Sequence, residues 1–359
     1  MTALTTILLN LFIIFVAAKV AAAIATRLGQ PSVIGELLAG VVLGPHALGW
    51  IGVPSAGILA LFHDDAVTAQ HALDLVLESF AELGVIVLLF VVGLEVRATD
   101  IMRVGGRAVS VGVLGIAAPF ILGYALMAAT GHTSAESAFV ATALVATSVG
   151  ITARVLQELG VLRTRDARVV LGAAVIDDIL ALLLLAVVSA SAAGGSTGVG
   201  PVLLIAVQAL AFVGFVVWAG GHATRRLTVH VDRLGPEAPL ALSVALMLGL
   251  AVASASIGLA AIIGAFLAGM ALAETRDRLD LEWHIRPVYE FLTPYFFVVT
   301  GSRVDLGAFG DVRVALLAAA ITALAIVGKV LGAGGAMWGT GPRSMLIVGV
   351  SMTPRGRSA

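Results

Sequence analysis

Apolar residues run along this chain in long blocks, broken by short polar or Arg-bearing stretches. A helix crossing a membrane needs about 20 mostly apolar residues. Twelve segments meet that description: 5–27, 31–52, 73–95, 105–130, 135–158, 168–193, 200–221, 238–254, 256–273, 287–302, 312–336 and 343–359. The eighth and ninth come from one uncharged run, 240–273. As a single helix that run would be about 50 Å long, against a hydrocarbon core of about 30 Å. A hairpin near 254–258 is therefore predicted. The first segment has no charged start and is far longer than the apolar part of a signal peptide, so it reads as a retained helix.

Composition agrees with the pattern. Of 359 residues, 60% are hydrophobic and 12% charged. The mean hydropathy is +1.07. Soluble domains carry about 25% charged residues. The absence of Cys excludes a secreted disulfide framework. A net charge of −1 gives no basis for a nucleic-acid partner.

The charges that exist are sorted by loop. Loops after odd-numbered segments hold fourteen Arg: 27; 97, 103 and 107; 163, 165 and 168; 225, 226 and 233; 276, 278 and 286; and 343. Loops after even-numbered segments hold only Arg303 and Arg313. Positive charge is retained on the cytoplasmic side, so the odd loops are expected inside and the N-terminus outside. The acidic, His-containing stretch 63–74 and the turn 194–200 are then external.

Two short motifs recur. Ser32-Val-Ile-Gly-Glu-Leu-Leu-Ala-Gly-Val-Val-Leu43 is echoed by Ala261-Ile-Ile-Gly-Ala-Phe-Leu-Ala-Gly-Met-Ala-Leu272. Leu89-Phe90-Val91-Val92-Gly93 is echoed by Phe296-Phe297-Val298-Val299-Thr300. A displacement of seven segments reverses orientation, which predicts inverted-topology repeats. Secondary transporters are built that way, with their site near mid-membrane. If segments one to six match eight to thirteen, segment seven (200–221) is a linker helix and a thirteenth segment is expected. The chain given ends in its twelfth, so the architecture is expected to be C-terminally incomplete.

Three charges lie where they cost most. Asp177 and Asp178 sit in the apolar stretch 169–188, and Lys329 sits deep in segment eleven. Charges at such depth face partners, cavities or transported ions. Neighbouring helix positions are about 100° apart, so the two carboxylates cannot share one partner. One is expected on an ion cavity and the other on a protein cation, for which Lys329 is the candidate. A polar pair that only stabilises a helix interface is the alternative. Segment five contains Thr147, Ser148, Gly150 and Thr152, a weak-helix patch. Such a patch either interrupts the helix and offers ligands, or forms a small-residue packing face.

Lesser candidates are Glu36, one turn into segment two; Glu82, nearer the outer end; and Arg154, a candidate partner for a buried carboxylate. Glu95 reads as a solvated helix end and Lys19 as a snorkelling residue. His63, His71, His222 and His230 lie in loops. There is no phosphate-cradling Gly-rich loop and no clustered metal site. An aspartyl-protease pair would place its carboxylates on separate elements, facing each other. No enzymatic activity and no cofactor are expected.

The sequence resembles the bacterial monovalent cation:proton antiporter-2 family, within the sodium/proton exchanger superfamily. The resemblance spans essentially the whole chain. It rests on Gly29-Gln-Pro-Ser-Val-Ile-Gly-Glu-Leu-Leu-Ala-Gly-Val-Val-Leu-Gly-Pro45, Phe90-Val-Val-Gly-Leu-Glu95, Thr147-Ser-Val-Gly-Ile-Thr152, Ile176-Asp-Asp178 and Lys329. It implies an all-α polytopic fold in which two interrupted helices, segments five and twelve, cross beside the Asp pair. It implies a dimerisation part (1–95 and 238–302), a mobile core (105–193 and 312–359) and a homodimer in the bacterial inner membrane.

Asp178 is implied as the principal Na⁺ and proton ligand, with Asp177 paired to Lys329. The implied function is electrogenic Na⁺ or Li⁺/H⁺ exchange by an elevator-like movement. K⁺/H⁺ exchange and a truncated, non-transporting membrane protein are the alternatives. Where the family has Pro-Arg-Gly-Glu, this chain has Pro354-Arg-Gly356 followed by Arg357. No nucleotide-binding domain is expected in this chain, unlike in the glutathione-gated potassium efflux relatives.

Overall fold

A computed structural model describes residues 2–63, 65–192, 204, 206–216, 218, 237–276, 279–310 and 312–354. The turn 194–200, most of the stretch that carries His222, Arg225, Arg226, His230 and Arg233, and residues 355–359 lie outside the described residues. Among the described residues the elements are all helical. They are α1 (Ala3–Arg27), α2 (Ser32–Leu43), α3 (Ala56–Leu61), α4 (Ala66–Leu94), α5 (Ala98–Ala129), α6 (Ser134–Ala143), α7 (Val149–Glu158) and α8 (Arg165–Ala192). After α9 (Ala206–Val216) come α10 (Ala238–Ser256), α11 (Ala261–Leu272), α12 (Leu281–Ser302), a short 3₁₀ turn, α13 (Val312–Gly335) and α14 (Pro342–Ser351). Five of the described helices are long and apolar enough to cross a membrane.

The predicted hairpin is present: α10 ends at Ser256, and Gly258 turns with φ +82° before α11 starts. Two expectations are corrected. Segment two does not run to residue 52, because α2 stops at Leu43 before Gly44 and Pro45. Twelve residues make a helix of only about 18 Å. The stretch 63–74, expected as an external loop, is mostly helix, because α4 begins at Ala66. The cause is Asp65. Its carboxylate accepts from the Val67 N–H at 3.0 Å and the Thr68 hydroxyl at 2.6 Å, which caps the helix.

The chain divides into two compact units, Met1–Leu88 with Ile285–Ala315, and Leu89–His284 with Leu316–Ala359. In the first, α1 and α4 pack with α12 around Ile14, Leu73, Leu77, Tyr295 and Val298. Buried Asn10 secures the loop after α2: its side-chain amide donates to Thr6 and its oxygen accepts from the Gly52 N–H, each at 2.9 Å. Gln70 of α4 donates to the Gly52 carbonyl from the other side.

The recurring motif has a structural counterpart inside each unit. In the first, a side chain at Gly35 would strike the Ala21 carbonyl of α1, one at Gly40 the Val298 carbonyl of α12, and one at Gly301 the Leu37 carbonyl. In the second, Gly264 meets the Leu250 carbonyl of α10, Gly269 the Phe90 carbonyl of α4, and Gly93 the Phe266 carbonyl. The α1–α2 positions map onto α10–α11 at one constant offset. These contacts also reset the register of the second echo: Gly93 corresponds to Gly301, one residue beyond Thr300. Glycine is required at each crossing because two backbones touch.

Candidate functional site

The site is built in the second unit around α8. Asp177 and Lys329 are both fully buried, and the Lys329 ammonium donates to the Asp177 carboxylate at 2.8 Å. Residues far apart in the chain thus solve each other's desolvation problem, as a buried charge requires. Glycine lets α13 bring the lysine there. A side chain at Gly332 would strike the Leu114 carbonyl of α5, and one at Gly328 would lie 2.7 Å from the Pro119 Cα. Gly115 of α5 lies beside the ammonium: a Cβ there would sit 3.9 Å from Lys329 Nζ, an ordinary contact distance.

Asp178, one residue on, has a different environment. It is only partly buried and faces a small cavity lined by Leu89, Val149, Val175, Ile262, Ile263 and Phe266. The cavity has room for about one water. Among the described residues, no hydrogen bond or ion pair reaches Asp178. The two carboxylates therefore divide as the helix geometry predicts, one toward a protein cation and one toward a cavity.

Segment five is broken, with α6 ending at Ala143 and α7 starting at Val149. The break meets the end of α14. The Thr152 hydroxyl donates to the Ser351 carbonyl at 3.0 Å, Thr147 to the Met352 carbonyl at 3.4 Å, and the Ser148 N–H to the Pro354 carbonyl at 2.8 Å. The last carbonyls of a helix have no partner within it, and here the break between α6 and α7 supplies donors to the carbonyls at the end of α14. Of the hydroxyls proposed from sequence as ligands, those of Thr147 and Thr152 thus have protein acceptors, while that of Ser148 accepts from the Ile151 N–H. Val149, the first residue of α7, also lines the Asp178 cavity, so the N-terminal end of α7 opens on the same cavity as the carboxylate.

Residues 12–359 match the family described as "Sodium/hydrogen exchanger, transmembrane". The chain belongs to the sodium/hydrogen exchanger family. This exchanger-family chain is 34% identical to the "High-affinity Na(+)/H(+) antiporter NhaS3" of Synechocystis sp., over 98% of its own length and 80% of that protein's. It is 31% identical to the "Na(+)/H(+)-K(+) antiporter GerN" of Bacillus cereus, over 97% and 84%. Its fold matches the sodium proton antiporter MjNhaP1 of Methanocaldococcus jannaschii with a TM-score of 0.65, at 18% identity, over 98% of this chain and 85% of that one. The family is one of cation:proton antiporters, so the chain is a multi-pass membrane transporter and not an enzyme.

The remaining sequence candidates fall elsewhere in this family member. Glu36 is buried on α2 and Glu82 is exposed on α4, both in the first unit. Arg154 pairs with Glu158 on its own helix at 2.6 Å. Lys19 is exposed, its ammonium 5.4 Å from the Phe15 ring centre. Glu95 is not a solvated helix end. Its side chain is 20% exposed and lies 3.2 Å from Arg163 and 3.3 Å from Arg276. Neither Arg is near it in sequence, so loop-by-loop reading had no signal for the cluster. Asn10, a lone amide inside an apolar segment, did offer a signal: such a group needs partners within the protein.

Proposed function

We propose that this chain exchanges cytoplasmic Na⁺ or Li⁺ for external H⁺, with Asp178 as the group that binds cation and proton in turn. The observation that carries this reading is the division of labour on α8. Asp177 is neutralised by Lys329, which leaves Asp178 as the negative charge on an apolar cavity. An uncompensated carboxylate at bilayer depth is costly to move. A bound proton or a dehydrated cation removes that cost, so the loaded forms cross and the empty one does not. That is the requirement for exchange. The names of NhaS3 and GerN support the cation class.

The same proposal includes electrogenic exchange, more than one proton per cation, with the Asp177–Lys329 pair as the second group whose protonation changes. It includes an elevator-like movement of a core formed by 105–193 and 312–359 against a dimerisation part formed by 1–95 and 238–302, with 200–221 as linker. It places the protein as a homodimer in the bacterial inner membrane, N-terminus outside. K⁺ in place of Na⁺ is the second reading, favoured by the K⁺ in the name of GerN.

The test uses purified protein in liposomes with an imposed proton gradient. Na⁺, Li⁺ and K⁺ are added in turn, with and without a potential clamp. Collapse of the gradient by Na⁺ or Li⁺, accelerated by a favourable potential, is expected. Collapse by K⁺ alone selects the second reading, and no response to any cation sinks antiport.

A further inference from the structure

Glu95 follows the last turn of α4, where a carboxylate meets the negative end of the helix dipole and requires cations nearby. It has two, and they differ. Arg276 lies just past α11, is 13% exposed, and is 3.7 Å from Glu282 as well as 3.3 Å from Glu95. Arg163 lies in the turn between α7 and α8 and is 65% exposed. Both reach the same oxygen, Oε2.

The elements behind the two cations also differ. α11 and α4 cross with backbones in contact at Gly269 and Gly93, and Glu95 and Arg276 follow the ends of these two closely crossed helices. Arg163 is instead tied to the start of α8, the helix that carries Asp177 and Asp178.

We infer that the Glu95–Arg163 pair is a latch on the side that the charge pattern assigns to the cytoplasm. It holds the entry of α8 against the α4–α11 crossing in this conformation. It opens each time α8 moves with its ion, and this step rests on the alternating-access reading above. Arg276 keeps the Glu95 carboxylate paired while Arg163 is away, so opening strands no buried charge. Because Arg163 is largely in water, its pair is weak enough to break and re-form in every cycle.

The chain has no Cys, so a Glu95→Cys, Arg163→Cys double variant carries two unique thiols, and because an Arg–Glu contact spans more than a disulfide can, they are bridged with a short bis-methanethiosulfonate reagent. In proteoliposomes, the reagent is expected to cross-link the pair, detected on gels after cleavage between the two positions. It should lower antiport at least tenfold, and reductant should restore it. A Glu95→Cys, Arg276→Cys variant is expected to cross-link with less than a twofold loss. Failure of positions 95 and 163 to cross-link, or a cross-linked protein that exchanges as fast as the reduced one, overturns the latch.

Arg163→Gln supplies a readout that needs no transport. Backbone hydrogen exchange over 161–166 is expected to quicken about two- to fivefold, with that around Arg276 unchanged. No change over 161–166 also overturns the proposal. Wild-type liposomes that show no antiport would sink the transport reading instead, while the exchange result still reports on the pair.

Discussion

At the scale of single residues, one position along α8 separates two environments. Asp177 has a salt bridge at 2.8 Å with no solvent contact, and Asp178 has an apolar cavity. Asp178→Asn is expected to abolish exchange of every cation in liposomes while leaving the protein's melting unchanged within a few degrees. Asp177→Asn acts differently, because it strands a buried ammonium. A loss of about 3–5 kcal/mol is expected, read as lowered thermal stability in detergent. Asp177→Asn with Lys329→Met removes both charges and should recover most of that loss. If the double variant is no more stable than the singles, the pair is not the source of the cost. These three charges were legible in the sequence because an ionisable group in an apolar run is conspicuous. The roles of Arg163, Arg276 and Glu95 were not, since charges at segment ends are ordinary until folding shows which of them meet.

At the scale of elements, the interruption at 144–148 joins propensity to packing. Ser148 and Thr152 disfavour a continuous helix, yet the same residues also suit a small packing face. What decides is that their donors reach Ser351 and Pro354, some two hundred residues on in the chain. Thr152→Val removes a part-buried donor and leaves the Ser351 carbonyl unsatisfied. A cost of about 1–3 kcal/mol is expected by thermal melting, with Thr152→Ser close to wild type.

The start of α4 gives a pH-dependent counterpart. The hydroxyl and N–H of Thr68 hold the Asp65 carboxyl below its ordinary range. The cap is therefore in place above the pKa of an unfolded Asp and is lost as pH falls through the lower folded value. The protection of the Val67 and Thr68 amides, relative to their intrinsic exchange at each pH, should fall as the pH drops through that window, and in Asp65→Ala it should be low throughout.

At the scale of the whole molecule, the same crossing is made twice, once in each unit, with glycine wherever backbones touch. Gly40→Leu and Gly269→Leu should therefore both impair folding, measured as loss of monodisperse protein after extraction. Gly49→Leu, at a loop position with open surroundings but positive φ, should cost less. Sidedness follows from the Arg distribution. In this Cys-free chain, His63→Cys is expected to react with an impermeant thiol reagent from outside intact cells, and Thr164→Cys only after the membrane is opened. The reverse pattern would invert the proposed orientation.

What the chain determined by itself is what depends on solvent and local order. Long apolar blocks must leave water, alternating Arg loops define two sides, and three charges within apolar segments must each find a partner or a cavity. Tertiary structure decided everything that depends on which groups meet. It shortened α2, extended α4 to residue 66 and shifted the Gly93 echo to Gly301. It also gave the Thr147 and Thr152 hydroxyls their acceptors and gathered Glu95, Arg163 and Arg276 from three separate stretches. Partition into a membrane is a sum over neighbouring residues, so sequence carries it. A contact between distant residues is fixed by helix packing, which the linear order does not contain.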